Sequence, residues 1–304
     1  MDRDQGSLTA MGASLMRAIH TRLDDPPLLD DPWGEQLVTE SDREALWEVA
    51  LGGLPPEARD QIAKLGSDEN AAMTLARAHP SYGSVIVRAR YNEDTLAAAV
   101  GRGIRRYVVV GAGLDSFALR RPAFAQDVEV FEVDHPATQA LKLERLRQAG
   151  VEAPTGVRYI AADLAEEPVD AVLRRSGFEG PAFFSWLGVT HYLTREANLG
   201  TLGAIARAGG PGSELVFTYL DQHWLESSDP DVARARETLA SLGEPWVSGF
   251  EPPKLGDELR GVGLELVEDL SSQDLHERYC ADRHDGLSPL PAAGIHVAHA
   301  RVGG

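Results

Sequence analysis

The chain has 304 residues, of which 43% are hydrophobic, and this supplies enough apolar material for one large domain with a well-filled core. It carries 47 acidic and 29 basic side chains, for a formal net charge of −18. A surface of that sign repels polyanions, so we expect no nucleic acid among its partners. Its single cysteine, Cys280, excludes an intramolecular disulfide and a zinc site built from several cysteines.

The composition also bears on where the protein resides. One cysteine favours a reducing compartment. The opening sequence MDRDQGSLTAMG lacks the basic segment and apolar core of a secretory signal. No uninterrupted apolar run approaches the roughly 20 residues that a membrane-spanning helix needs. We therefore expect a soluble cytoplasmic protein with no membrane partner.

Residues 1 to about 103 are predicted to be helical throughout. The expected breaks are three segments rich in proline or glycine, DDPPLLDDPWG, GGLPPE and AHPSYG. No convincing strand precedes residue 104. We expect residues 1–103 to form a helical cap that contributes to the functional site, and residues 104–304 to form the main domain.

From about residue 104, short apolar runs alternate with amphipathic helical stretches, which is the pattern of a parallel sheet with crossover helices. The predicted strands are 106–112, 128–134, 157–163, 182–188, 213–220, 263–269 and 294–302. The predicted helices lie near 115–122, 136–149, 166–177, 194–208 and 252–262.

Two features depart from simple alternation. The segment 221–250, after the fifth predicted strand, is expected to be a partly helical, lid-like insertion that covers a site. The last two predicted strands have no obvious full crossover helix between them. An antiparallel strand is therefore expected at that edge of the sheet.

The stretch VVVGAGLDSFAL predicts a buried strand, a glycine turn and the start of a helix. Gly111 and Gly113, with Ala112 between them, indicate a ligand that lies against the backbone. Ser116 stands where a dinucleotide fingerprint places its third glycine, and Asp115 would compete with a pyrophosphate for the first helical amides. The turn therefore favours a ligand with a positive charge, although Asp115 equally suits a helix cap.

Two further acidic residues follow predicted parallel strands. Asp134 lies 23 residues after Gly111, the distance at which an acid usually accepts hydrogen bonds from ribose hydroxyls. Asp163, followed by Leu164, ends the third strand at the same carboxyl edge, where ligands of open α/β sheets bind. Each acid alone is explained as a loop cap. Together with Asp115, they favour a joint site.

Arg88 lies on the predicted helix SVIVRARYNEDTLAAAV. Its neighbour Arg90 has an acid at i+4, Asp94, whereas Arg88 has no acid at its helical neighbours. An arginine without a local acid needs an anion from elsewhere. That anion is either an acid of another element or the carboxylate of a ligand.

Taken in order, these motifs resemble those of the leucine carboxyl methyltransferase-like branch of class I methyltransferases, which depend on S-adenosylmethionine. The resemblance extends over most of the chain. It is carried by TAMGASLMRAIHTRLDDPPLLDDPWGEQLV, VRARYNEDTL, VVVGAGLDSFALRRP, FEVDHPATQALK, FFSWLGVTHYLTREA and ERYCADRHDGL. One departure is Leu187, which stands where some family members carry a glutamate, so no cofactor contact is assigned there.

The resemblance implies an α/β, Rossmann-like fold. Its sheet has seven strands and is mostly parallel with an antiparallel last strand, it has helices on both faces, and an N-terminal helical cap adjoins it. The cofactor is S-adenosylmethionine, its product S-adenosylhomocysteine, and no metal is expected. The implied cofactor residues are Arg88 for the methionine carboxylate, Gly111 and Gly113 for the turn, Asp134 for the ribose, and Asp163 with Leu164 for the adenine.

The resemblance also implies an O-methyltransferase of a small metabolite. A carboxylate acceptor is favoured over a phenolic or alcoholic hydroxyl, and a protein acceptor stays open. An ionised carboxylate needs no general base, whereas a hydroxyl benefits from one. His191, after the fourth strand, is the candidate base or substrate-orienting group, and Tyr192, Tyr219 and His223 are candidate pocket residues.

Two other classes of protein share some of these features. An NAD(P)-dependent oxidoreductase would have the same strand, turn and acid, but Asp115 and Ser116 argue against it. A non-catalytic protein that binds S-adenosylmethionine would share every cofactor residue. Only turnover separates that class from an enzyme.

Overall fold

The computed structural model describes residues 8–52 and 69–303. The first seven residues of the predicted cap and nearly all of the predicted break at GGLPPE lie outside these ranges. Within residues 8–103, the described part contains helices and no strand. The helices are α1 (Leu8–Leu23), a 3₁₀ turn (Pro32–Glu35), α2 (Glu40–Gly52), α3 (Glu69–Ala78) and α4 (Tyr82–Gly101).

The rest of the chain is built on a seven-stranded sheet in the order β3-β2-β1-β4-β5-β7-β6. Every neighbouring pair from β3 to β5 is parallel, and β7 runs antiparallel to both β5 and β6. This confirms the predicted fold class. The strands are β1 (Arg106–Val110), β2 (Glu129–Asp134), β3 (Val157–Ala161), β4 (Phe183–Trp186), β5 (Glu214–Leu220), β6 (Leu264–Leu270) and β7 (Ile295–Val302).

The apolar run of β1 explains why it lies in the middle of the sheet. Successive side chains of a strand point to opposite faces, and both faces of β1 are covered. Val108 and Val110 pack into the core on one side, whereas Tyr107 and Val109 pack into the core on the other. Burial on both faces favours an apolar run such as that of β1.

Helices cover both faces of the sheet. They are α5 (Phe117–Arg120), α6 (Pro136–Gln148), α7 (Val169–Arg175), α8 (Arg195–Gly209), α9 (Gln222–Leu225), α10 (Pro230–Ser241), α11 (Pro252–Gly261) and α12 (Ser272–Tyr279). Among the described helices, none is both long and apolar enough to cross a lipid bilayer.

Two helices differ from the predictions. The helix expected near 115–122 is a single turn, because Arg121 adopts a left-handed conformation with φ of 39° and proline follows it. Between β6 and β7, where no full crossover helix was predicted, the chain forms α12. A capping box between Ser271 and Asp274 fixes the start of that helix.

The insertion after β5 is partly helical, as predicted, and is fastened at both ends. The amide of Gln222 donates to the carbonyl of Phe250 at 2.9 Å, and the amide of Phe250 donates to that of Leu220 at 2.9 Å. Because these bonds join the two ends of the insertion, it leaves and rejoins the body at one place, the carboxyl end of β5.

Candidate functional site

The glycine turn follows β1 and closes it against β2. The amides of Gly111 and Ala112 both donate to the carbonyl of Val133, at 2.9 and 3.3 Å. Gly111 and Gly113 have φ of 68° and 51°, a conformation that side chains disfavour. A Cβ at Gly111 would also stand 2.8 Å from Cγ2 of Val189. Both glycines are therefore required by the backbone itself.

Asp134, at the end of β2, is directed at this turn. Its Oδ2 accepts a hydrogen bond from the amide of Gly113, and its Oδ1 accepts one from the amide of His135 at 2.6 Å. Burial raises the pKa of Asp134, while these two amides act in the opposite direction. Each carboxylate oxygen keeps a free lone pair, so the side chain is preset to accept further hydrogen bonds from hydroxyl groups.

The next strand brings Asp163 and Leu164 to the same edge. The amide of Ala162 donates to the carbonyl of Asp134 at 2.8 Å, which places the ends of β2 and β3 side by side. Oδ1 of Asp163 accepts from the amide of Ala165 at 2.9 Å, and Leu164 packs against the core. The structure therefore brings Asp134, Asp163 and Leu164 together at one edge of the sheet.

Asp115 acts as a cap. Its Oδ1 accepts from the amide of Phe117 at 2.8 Å, which satisfies one of the free donors at the start of α5. Of the two roles that the sequence allowed, the structure shows this one. A contact between Asp115 and the cofactor stays a prediction.

Arg88 faces the loop after β4 from α4. Its guanidinium is largely buried, and among the described residues no hydrogen bond or ion pair reaches it. Burial, followed by the positive charge of Arg17, lowers the pKa of Arg88 to about 10. A Cβ at Gly188, whose φ is 72°, would lie 3.0 Å from Nη2 of Arg88. No acid of the described chain supplies the anion considered for Arg88, and the ligand carboxylate stays a prediction.

His191 and Tyr192 lie on the 3₁₀ turn Thr190–Tyr192 beyond this glycine. Their ring centroids are 4.2 Å apart, and the Tyr192 hydroxyl and Thr9 Oγ1 are 3.3 Å apart in a hydrogen bond. Burial, together with the charge of Arg88, lowers the pKa of His191 to about 3. The imidazole is therefore neutral at physiological pH. Arg88, His191 and Tyr192 form one group.

Tyr219 and His223 have other surroundings. The Tyr219 hydroxyl donates to Asp269 at 2.7 Å, and its ring stacks on His296 with centroids 5.0 Å apart. This hydroxyl is used inside the core. The side chain of His223 is 73% exposed at the start of α9. The structure therefore does not place the polar atoms of these two predicted pocket residues beside Arg88.

A buried charge cluster that the sequence analysis missed joins the helical cap to the turn. Oδ2 of Asp31 accepts from Nε of Arg17 at 2.7 Å and from the Ser116 hydroxyl, and Arg120 lies 3.6 Å from Oδ1. Burial disfavours the charge of Asp31, but the two arginines outweigh it and hold its pKa below the ordinary value. The sequence clue was Asp31 directly before Pro32, a common helix start.

Asp31 accepts the hydrogen bond of Ser116, the residue at the third-glycine position of the dinucleotide fingerprint, so that hydroxyl is already used within the protein. The charges of the cluster balance, because Arg17 and Arg120 face Asp31 and Glu93. In the described part of the chain, no group of three or more His, Cys, Asp or Glu is arranged to hold a metal ion.

Known proteins resemble this chain in sequence and in fold. The model of the leucine carboxyl methyltransferase family matches residues 10–206. YktD of Bacillus subtilis, named as a candidate S-adenosyl-L-methionine-dependent methyltransferase, is 30% identical over 303 residues, 99% of each chain. Rv3787c of Mycobacterium tuberculosis, with the same description, is 32% identical over 222 residues, 72% of this chain and 67% of its own.

A crystal structure of a candidate methyltransferase from Thermobifida fusca superposes with a TM-score of 0.59 at 19% identity, covering 95% of both chains. The fold and the sequence relatives together define a methyltransferase that depends on S-adenosylmethionine. Within that class, the chain belongs to the leucine carboxyl methyltransferase family.

Proposed function

We propose that the protein is an O-methyltransferase of a small metabolite and that a carboxylate is its favoured acceptor. Arg88 binds the methionine carboxylate of the cofactor, because its guanidinium has no anion from the described chain. Asp134 binds the ribose hydroxyls, and Asp163 and Leu164 line the adenine. The helical cap, residues 1–103, and the insertion, residues 221–250, shape the acceptor pocket.

The reaction is an in-line displacement at the methyl carbon. An acceptor oxygen forms the new C–O bond while the C–S bond breaks, and the electron pair stays on sulfur to give S-adenosylhomocysteine. The protein contributes mainly alignment and the exclusion of water. A group that removes a proton is needed only when the acceptor is a hydroxyl.

The observation that carries the choice of a carboxylate is the burial of His191 near the charge of Arg88, which makes its imidazole weakly basic. With a pKa of about 3, its imidazole is a poor proton acceptor for a hydroxyl at neutral pH. A carboxylic acid is already ionised under those conditions. We therefore assign His191 to orienting the acceptor through a hydrogen bond.

The stability of the product to alkali tests this proposal. The protein is incubated with S-adenosylmethionine labelled in its methyl group and with a panel of carboxylic acids and phenols. Methyl esters release labelled methanol in mild alkali, whereas aryl ethers and N-methyl groups retain the label. Volatile label supports the proposal. A label that survives alkali contradicts the carboxylate assignment, and a label in the protein fraction points to a protein acceptor.

His191 is expected to leave no trace in the pH profile of turnover. Because its pKa is lowered to about 3, the imidazole is neutral at every pH above about 5, so its protonation cannot produce a limb near its ordinary value of 6.5. We expect kcat/KM to be flat from about pH 6 to about pH 9, with His191→Ala lowering it by about tenfold throughout. A wild-type limb near neutrality that His191→Ala removes would establish a base role.

Gly188→Ala is expected to weaken the binding of S-adenosylhomocysteine about tenfold, or by about 1.4 kcal/mol. The added Cβ would lie 3.0 Å from the guanidinium of Arg88, and φ of 72° strains any side chain there. Calorimetric titration measures the change. Gly200→Ala is the matched control, since a Cβ at that helical glycine meets nothing within 4 Å. Equal affinities in the two variants would remove Arg88 from the cofactor site.

A further inference from the structure

The insertion carries a buried carboxylate without a partner. Glu244 is only 7% exposed, and its Oε2 is buried and makes no hydrogen bond. Among the described residues, no cation lies within ion-pair distance of either oxygen. Burying a charge in this way is costly unless something binds it.

The backbone around Glu244 is held firmly. Gly243, with φ of 75°, turns the chain at the end of α10, and the amide of Glu244 donates to the carbonyl of Leu239 at 3.0 Å. Three residues later, the amide of Val247 donates to the carbonyl of His191 at 2.7 Å. Glu244 is thus fixed relative to the turn that carries His191 and Tyr192.

Tyr192 lies near both Glu244 and Arg88. Burial raises the pKa of Tyr192 and the hydrogen bond with Thr9 lowers it; Glu244 then raises it and Arg88 lowers it. In the described part of the chain, no ion pair joins Glu244 to Arg88, so neither side chain neutralises the other.

The charges of Arg88 and Glu244 determine which group each side chain binds. The anion of Arg88 is the methionine carboxylate of the cofactor, according to the proposed function, so Glu244 is left without a counter-charge. Two residues along the chain from Glu244, the Trp246 ring lies edge-on to His191 with centroids 6.5 Å apart, and its centroid lies 5.6 Å from that of Trp224. Aromatic faces favour the binding of an organic cation.

We propose that Glu244 binds a positively charged amino group of the methyl acceptor, so that the acceptor is an acid that also carries an ammonium. This inference rests on the proposed function for the identity of the methylated group. The net charge of −18 is consistent with it, because the field of the protein repels simple anionic acids and repels a zwitterion less.

Paired acceptors test the inference. Each pair differs by one ammonium group: aminomethylbenzoate against methylbenzoate, and aminohexanoate against hexanoate. We expect wild-type kcat/KM to favour the amino member by about 30-fold or more, and Glu244→Gln to reduce this preference to within about threefold. Glu237→Gln, which removes an exposed acid from α10, should keep the full preference. The inference is overturned if wild type and Glu244→Gln treat every pair alike, including by transferring to none.

Two further measurements separate this inference from its alternatives. An alkali-stable product, formed with the preference for amino acceptors intact, would contradict the carboxylate acceptor but support the role of Glu244. A methyl ester formed without that preference would support the carboxylate acceptor and contradict the role of Glu244. Glu244→Gln should match or exceed the wild-type melting temperature, because the buried carboxylate has no partner to lose. A fall of more than about 3 °C would show a structural role and overturn the inference.

Discussion

Asp134→Ala is expected to weaken the binding of S-adenosylhomocysteine by at least about 100-fold, or about 3 kcal/mol. The variant removes the proposed acceptor for the ribose hydroxyls. It also removes the acceptor for the amides of Gly113 and His135, so the glycine turn loses the bond that holds it toward β2. Calorimetric titration gives the affinity.

Controls distinguish the loss of a ligand contact from general damage. Asp134→Asn keeps the shape but not the charge, and we expect a loss of about tenfold, between wild type and the alanine variant. Asp127→Ala removes an exposed acid near the opposite end of β2 and should bind normally. Titration with NADH and NADPH should show no binding. Affinity of Asp134→Ala within about threefold of wild type would dissociate this acid from the cofactor.

The sheet was predictable because short stretches of sequence indicate its strands and turns. The inner strands β1, β4 and β5 are buried on both faces and are mostly apolar, as in β1, where Tyr107 through Val110 are all buried. The turn after β1 was also predictable, because Gly111 and Gly113 have positive φ, a conformation that glycine adopts readily. The antiparallel edge was predicted correctly from an apparent lack of a crossover helix, although α12 lies between β6 and β7.

The predictions for two helices, α12 and α5, differed from the structure for identifiable reasons. α12 has eight residues, among which only Ser272 and Leu275 are buried, so its apolar periodicity is too short to recognise. Its capping box was the available clue. α5 ends after one turn because of the conformation of Arg121, which its residue type does not indicate.

Part of the site could not be predicted from the sequence, because it depends on which charged side chains are buried and paired in the folded protein. That Arg88 needs an anion followed from its helical neighbours, but that no described acid supplies it is a fact of tertiary packing. Asp31 and Glu244 both stand in segments rich in proline and glycine, where an acid is ordinarily a solvated loop residue. Burial makes one of them the centre of a charge cluster and leaves the other without a partner.

Asp31→Asn is expected to lower the free energy of unfolding by about 3 to 5 kcal/mol. The substitution leaves the guanidinium groups of Arg17 and Arg120, whose side chains are only 13% and 10% exposed, without the carboxylate that balances them. Glu93 still pairs with Arg120, so Arg17 carries most of the cost. Unfolding in urea measures the change, and Asp30→Asn, an exposed neighbour, should stay within about 0.5 kcal/mol of wild type.

The pH dependence of this difference identifies its cause. Because the pKa of Asp31 is held below its ordinary value of 3.8, its contribution is complete above that value and is lost as the pH falls below it. The difference between wild type and Asp31→Asn should therefore be constant from about pH 7 to about pH 5 and shrink at lower pH. A difference that does not change in acid would assign the loss to packing, and one no larger than that of Asp30→Asn would mean that the cap does not depend on this charge.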